Sequence, residues 1–358
     1  MSLLRYYISG HGLGHASRSC QVINALTTGH PAVRCEVVSD AAPWFLADNL
    51  PPGVAVAFST LDVGVRQIDS LVMCPEATIQ DCRQLQAQAP GLIAEEAERL
   101  LRDGITLVVT DVAALPCAAA AAAGIPAVIL SNFTWDWIYE EFLDAYPELA
   151  AIIAWQRDCY RQARLALRLP FHGPMPPQIE IVDLPLVTRH STTPAETVRS
   201  RLGLVKNQRL GLLSFGGFGL QTAPLDGLAP LADWVFLAEQ ALADGHPHLR
   251  PLPSAVAYPD LVNAADVVIT KPGYGIVAEC LAHNTPVIFT SRGSFREESL
   301  LVAGLQHYGR GVAIDNEQLR RGDLQEALER LLLLPQPTEA LATNGAEIAA
   351  NHLARLLA

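Results

Sequence analysis

Two histidines sit in a glycine-rich turn, Gly10-His11-Gly12-Leu13-Gly14-His15-Ala16-Ser17-Arg18, directly after the apolar run Leu3–Ser9 and before a helical pattern. Glycines at alternate positions let the backbone turn sharply and approach a ligand closely, and the first turn of the following helix offers free N–H groups to an anion. An imidazole in such a turn places a base that works near pH 7 at the mouth of a crevice. His15 is the better placed of the two, because it stands at the helix start where the chain faces that crevice. It also occupies the position where a G-x-G-x-x-G dinucleotide turn needs its third glycine, so hydride transfer with a nicotinamide cofactor fits poorly. Asp111 closes the run Leu107–Asp111 and emerges along the same sheet edge. A carboxylate there either orients and charge-stabilises the imidazole or caps a helix beginning near Val112.

The second half carries another set. Ser214-Phe-Gly-Gly-Phe-Gly219, with Gly216 and Gly217 at its centre, follows a strand pattern. Further on, Asp266-Val-Val-Ile-Thr-Lys-Pro-Gly-Tyr-Gly-Ile-Val-Ala-Glu279 reads as a strand ending at Thr270, a turn bared by Gly273 and Gly275, and a helix that carries Glu279. A helix N-terminus of this kind suits a diphosphate, and Lys271 adds positive charge beside it. Glu279 could accept the two hydroxyl protons of a ribose or form a structural salt bridge. In the polar segment Ser291–Ser299, Arg296, Glu297 and Glu298 could reach phosphate or sugar hydroxyls, or form a solvated charge run.

Elements that position these residues follow from periodicity. Short apolar runs (Leu3–Ser9, Cys35–Ser39, Val54–Phe58, Leu107–Asp111, Ala127–Leu130) alternate with helical patterns near 17–28, 80–102 and 117–123. Strands that are apolar almost throughout and separated by helices indicate a parallel sheet covered on both faces. From His172 to Pro194 the chain is rich in Pro and polar turns, as a connection between domains would be. The rhythm then restarts with strands at Leu210–Phe215, Trp234–Ala238, Val267–Thr270 and Pro286–Thr290 and a helix over Gly275–His283. The expected organisation is a first Rossmann-like α/β domain over 1–182, a linker over 183–200, a second over 201–338, and an amphipathic helix over 339–358 able to pack back on the first domain.

Composition narrows the function. The 358 residues carry 37 acidic and 25 basic side chains, a net charge of −12, which argues against nucleic acid as a partner. Only Lys206 and Lys271 are lysines. Half the residues are hydrophobic and the mean hydropathy is +0.22, a globular composition. No uncharged apolar run reaches the roughly 18 residues a membrane span requires. Seven scattered cysteines show no C-x-x-C pair, so neither a metal site nor a disulfide framework is expected, and reduced thiols suit the cytoplasm.

Together, Gly10–His15, Ser214–Gly219 and Gly273–Glu279 resemble the corresponding turns of the GT-B glycosyltransferases. More fully, the chain resembles the glycosyltransferase-like N-terminal region of plant L-arabinokinases and its free-standing bacterial relatives. That resemblance is carried by Tyr6–Arg18, Val109-Thr-Asp-Val112, Ser131-Asn-Phe-Thr-Trp-Asp-Trp-Ile-Tyr139 and Lys271–Glu279, and it spans nearly the whole chain. It implies two doubly wound domains facing across a cleft, an acceptor bound mainly by the first and a nucleotide sugar, UDP-linked, bound mainly by the second. No metal or separate cofactor is implied, and kinase activity is not carried over. In this reading His15 is the base and Asp111 its support. Gly12, Gly14, Gly216, Gly217, Lys271, Gly273, Gly275, Glu279, Arg296 and Glu297 hold the nucleotide sugar, and Trp135 and Trp137 either stack on sugar faces or, as aromatics following a strand more often do, pack against a domain interface. A nucleotide-sugar epimerase or a non-catalytic sugar-nucleotide-binding module would use the same architecture.

Overall fold

A computed structural model describes residues 2–216, 219–220 and 223–358. Its first half runs β1 (Leu3–Ile8), α1 (Leu13–Gly29), β2 (Arg34–Ser39), α2 (Pro43–Asn49), β3 (Ala55–Phe58), β4 (Gln67–Asp69), β5 (Val72–Met73), α3 (Pro75–Arg102), β6 (Leu107–Asp111), α4 (Leu115–Ala122), β7 (Ala127–Ser131), α5 (Trp135–Tyr139), α6 (Leu149–Tyr160), β8 (Leu165–Arg168) and β9 (Glu180–Asp183). The second runs α7 (Ala195–Arg201), β10 (Arg209–Ser214), β11 (Trp234–Ala238), α8 (Gln240–Ala243), β12 (Leu249–Pro251), α9 (Tyr258–Ala264), β13 (Val267–Thr270), α10 (Tyr274–Ala282), β14 (Val287–Phe289), α11 (Glu297–Tyr308), β15 (Gly311–Ala313), α12 (Asn316–Arg321) and α13 (Gln325–Leu333). A last helix, α14, covers Gly345–Leu357.

Two parallel sheets result, ordered β3-β2-β1-β6-β7-β8-β9 and β12-β11-β10-β13-β14-β15. Both faces of each sheet are covered by helices, which is why the central strands read as apolar without alternation. Within β1, Leu4, Tyr6 and Ile8 enter one apolar cluster and Tyr7 the opposite one. Strand order reverses between β1 and β6 in the first sheet and between β10 and β13 in the second. At such a switch point the flanking loops diverge and leave a crevice beyond the carboxyl ends of the strands. Register puts Ile8 opposite Asp111 and Ser214 opposite Thr270, so each glycine turn of the sequence opens at one of these crevices.

Several strands lie within a residue of their expected bounds, among them Leu107–Asp111, Trp234–Ala238 and Val267–Thr270. Helix α3 begins at Pro75 rather than near Gln80, because proline is tolerated in a first helical turn. The Pro-rich connection is more structured than its composition suggests. It contains the edge strand β9, and Leu184, Leu186 and Val187 are buried. It is also stitched to the returning chain by Leu186 N–Ala342 O (2.9 Å) and Gly345 N–Leu186 O (3.1 Å). At Gly345 a Cβ would collide with the Pro185 carbonyl.

Helix α14 crosses back and lies along α1, placing Ala349, Ala350 and Leu353 in one apolar cluster with Val22, Ile23 and Leu26. His30 Nε2 and Asn351 Oδ1 pair at the edge of this contact, 2.9 Å apart. Among the described residues no helix is long and apolar enough to cross a membrane and no His/Cys/Asp/Glu group could hold a metal ion. All seven cysteines are free thiols.

Leu353 is fully buried at the α1–α14 contact, so Leu353→Ala is expected to lower the unfolding free energy by about 2–5 kcal/mol. Urea denaturation followed by circular dichroism reads this directly; an unchanged curve would show that α14 is not docked.

Candidate active site

Strand β1 delivers the chain into a turn where only glycine fits. At Gly10 a Cβ would overlap the Asp40 carboxylate, and Gly12 has φ +70°. Gly12 is the N-cap of α1 and no side chain caps the helix, so the N–H groups of its first turn are turned to the cavity beyond. His15 is the third residue of α1, and its ring points back toward the end of β6. Nδ1 lies 2.8 Å from Asp111 Oδ1, which leaves Nε2 as the nitrogen for the cavity.

Asp111 is completely buried and does not cap a helix: α4 starts later, at Leu115. Arg18, one turn after His15, grips it with two bonds, Nε to Oδ2 at 2.7 Å and Nη2 to Oδ1 at 2.6 Å. Ser19 Oγ donates a further bond to Oδ2 at 2.9 Å. Burial alone would raise the Asp111 pKa; the charges of Arg18 and His15 overcome it and hold the carboxyl well below its ordinary range. Asp111 is thus a fixed anion 2.8 Å from His15 Nδ1. Arg18 Nη2 also lies 3.0 Å from that nitrogen, but beside a carboxylate anion the tautomer with its proton on Nδ1 is the favoured one, and the contact keeps the ring oriented.

His11 occupies a different environment. Its ring stacks on Phe295 (centroids 5.9 Å) and meets the edge of Trp135 (5.1 Å). Burial, with Arg292, His15 and Lys271 nearby, pushes its pKa well down, so it stays neutral. Trp135 has no exposed surface and donates Nε1–H to Asp62 Oδ2 at 2.8 Å. Trp137 is covered by the Arg296 guanidinium on its ring and packs against Gly173. Neither indole lines the cavity between the two glycine turns.

Across from these residues stands the N-terminus of α10. Gly273 is its N-cap, again without a capping side chain. The two glycine turns touch: a Cβ on Gly275 would lie 3.6 Å from Gly14 Cα. Burial and the neighbouring Arg292 lower the Lys271 pKa from its ordinary value to about 7. Arg292 is buried, lies over the Phe295 ring at 3.6 Å, and donates to Pro272 O at 3.0 Å. Glu297 Oε1 accepts Asn132 Nδ2 at 2.7 Å, while Asn132 Oδ1 accepts Arg18 Nη1 at 2.6 Å. A buried polar chain therefore runs from His15 and Asp111 through Arg18 and Asn132 to Glu297 and Arg292 in the other half.

All this surrounds one cavity of about 870 Å³ between the halves. Of the expected site residues, Gly12, Gly14, His15, Gly216, Lys271, Gly273, Gly275, Glu279 and Glu297 line it, with Asp111 behind His15. Gly217 lies outside the described residues. Arg296 is not brought in: its guanidinium is held at the interface by Trp137 O and Glu140. Glu279 does form an ion pair, accepting Arg189 Nε on Oε1 at 2.6 Å, yet its Oε2 is buried in the cavity wall without a partner among the described residues. Residues that spacing did not single out are Arg18, Asn132, Arg189 and Arg292. Arg18 could have been found from its place three residues after His15, on the same helix face.

Removing the Arg18 charge strands a buried carboxylate. Arg18→Met is therefore expected to cost about 3–5 kcal/mol of stability at neutral pH, and adding Asp111→Asn to recover part of it. Because the folded-state pKa of Asp111 is depressed, its contribution is complete above the unfolded value of about 3.9 and is lost as pH falls through the folded value. Wild type's margin over Arg18→Met should accordingly shrink on acidification; a margin independent of pH would contradict the ion pair.

No protein-family model matches the sequence. It is 33% identical over 359 residues to an L-arabinokinase of Arabidopsis thaliana, covering 97% of this chain and 34% of that protein, so the chain spans about a third of that relative's length. It is 25% identical over 285 residues to an uncharacterized glycosyltransferase of Methanopyrus kandleri, covering 73% of this chain and 79% of that one. Solved GT-B glycosyltransferase structures superpose over the full length. One neighbour is Phytolacca americana UGT2 complexed with UDP-2-fluoro-glucose and pterostilbene, at 12% identity and TM-score 0.62 over 100% of this chain and 94% of that one. The chain thus has the GT-B fold and is a homologue of an L-arabinokinase over a third of that protein and of a named glycosyltransferase over most of its length.

Proposed function

We propose that the chain transfers a glycosyl group from a nucleoside-diphosphate sugar, UDP-linked, to a hydroxyl acceptor. The observation that carries this reading is the His15–Asp111 pair, set across one cavity from the uncapped N-terminus of α10 with Lys271 and Arg292 beside it. A base on one side and a cationic cradle on the other is what displacement at an anomeric carbon requires.

In this reading His15 Nε2 takes the acceptor's hydroxyl proton while its Nδ1–H stays on Asp111. The acceptor oxygen forms a bond to the anomeric carbon as the bond to the β-phosphate oxygen breaks, and attack from the side opposite the leaving group inverts that carbon. Charge released on the diphosphate falls on the first-turn N–H groups of α10 and on Lys271 and Arg292. This electrostatic device supplies stabilisation without calling for a metal ion. Glu279 Oε2 receives ribose hydroxyls. Holding both substrates between the halves contributes much of the rate through orientation. The structure of UGT2, which holds a UDP-sugar analogue together with a second compound, supports a donor and an acceptor sharing one such cleft. Free thiols suit a reducing compartment, so we place the protein in the cytoplasm. The kinase activity in the plant relative's name belongs to a protein of which this chain matches 34% and forms no part of the reading.

Two titrations test it. Calorimetry with UDP should show Glu279→Ala binding about 10-fold or more weakly than wild type, since hydrogen bonds to a charged group are the stronger kind; equal affinities would remove the ribose assignment. Lys271, with its pKa near 7 in the free protein, should take up a proton when an anionic diphosphate raises that value. At a pH about one unit above 7, UDP binding measured in buffers of different ionisation enthalpy is expected to show proton uptake in wild type and none in Lys271→Met. Absence of buffer dependence in wild type would put the diphosphate elsewhere.

A further inference from the structure

We propose that α2, an element of the first half, supplies the second wall of the nucleobase subsite, with the Trp44 indole stacking on the base. This deepens the donor reading above and rests on it. The cavity has a direction. Gly275, Lys271 and Arg292 mark where the diphosphate lies, and Glu279 with Arg189 marks the ribose. Arg189 then fixes what comes next, because its guanidinium lies over the Phe45 ring at 5.7 Å and over the Tyr258 ring at 5.4 Å. Phe45 belongs to α2 and Tyr258 opens α9, so at the ribose position the walls already come from different halves.

The same cavity is lined by Trp44 of α2 and by Leu252 and Val256 of the segment leading into Tyr258. The two aromatic neighbours on α2 are treated differently: Phe45 is 4% exposed and packed in the core, whereas Trp44 is 60% exposed. Among the described residues its one ring contact is edge-on, with Phe45, at 5.6 Å, so an indole face is left at the cavity it lines. A planar base held against Leu252 and Val256 would cover that face, and Asp48, one turn further along α2, also lines the cavity and offers an acceptor to a base N–H. A base gripped in this way would tie the two halves together as the donor enters.

The test is calorimetric titration of the full chain with UDP and, separately, with inorganic pyrophosphate, for wild type, Trp44→Ala and Trp44→Phe. Stacking on an aromatic side chain predicts that Trp44→Ala weakens UDP on the order of 10-fold while Trp44→Phe stays within about 3-fold of wild type. Pyrophosphate, which has no base, should bind all three alike. UDP should also quench tryptophan fluorescence in wild type more than in Trp44→Phe. If Trp44→Ala binds UDP as wild type does, or if UDP and pyrophosphate weaken together, the subsite is wrong while the donor reading stands. Failure of wild type itself to bind UDP would overturn the donor reading, and this subsite with it.

Discussion

The arrangement depends on one buried ion pair. Asp111 has no solvent exposure and Arg18 almost none, and neither charge would be tolerated there alone. Each satisfies the other through two hydrogen bonds, and the surplus bonding capacity of both defines the site. Asp111 still accepts from His15 and Ser19, and Arg18 still donates to Asn132 and Ser131. Held in place by Arg18, the carboxylate beneath His15 fixes the ring's orientation and favours its proton on Nδ1.

From that pair the rest of the cleft can be followed outward. Asn132 carries the hydrogen bonding to Glu297 in the opposite half, so the base and the cationic side of the cavity are joined through one chain of buried polar groups. The hairpin β4–β5 makes a second crossing, with Ser70 bonded to Phe215 O and to Gly219 O. Gly14 and Gly275 face each other so closely that an added Cβ on either would already be in van der Waals contact with the other's backbone. An acidic chain of net charge −12 attracts no anion by its overall field, so local devices must do so. Here they are two uncapped helix starts, Arg292, and one of only two lysines.

Much of this was legible in the sequence, for physical reasons. Strands buried on both faces announce themselves as apolar runs, and a glycine turn at the end of such a run marks a crevice: such turns lead to His15, Lys271 and Glu279, which line the cavity, and the end of an apolar run leads to Asp111 behind His15. What remained hidden depends on partners distant in sequence. Arg292 and Arg296 lie four residues apart in one polar segment, and nothing local says that the first turns into the cavity while the second is drawn to Glu140 and Trp137. Asn132 looked like part of an aromatic segment and proved to be the bridge between halves. For Trp135 and Trp137 the sequence leaves sugar stacking and interface packing both open, and contacts with Asp62, Gly173 and Arg296 decide for packing. The edge strand β9 in the Pro-rich connection has three exposed or half-exposed neighbours in a row, Glu180, Ile181 and Val182, and so carries no clear apolar alternation in the sequence.

The central claim is that Asp111, held by Arg18, keeps the His15 proton on Nδ1 and presents a bare Nε2 to the cavity. Long-range 1H–15N correlation spectra of the histidine rings, recorded on the full chain at a pH where His15 is neutral, report the tautomer directly. The account predicts an Nδ1-protonated His15 whose signature is lost in Asp111→Asn. A His15 ring protonated at Nε2 in the wild-type protein would place a hydrogen where an acceptor's proton has to go, and would contradict it.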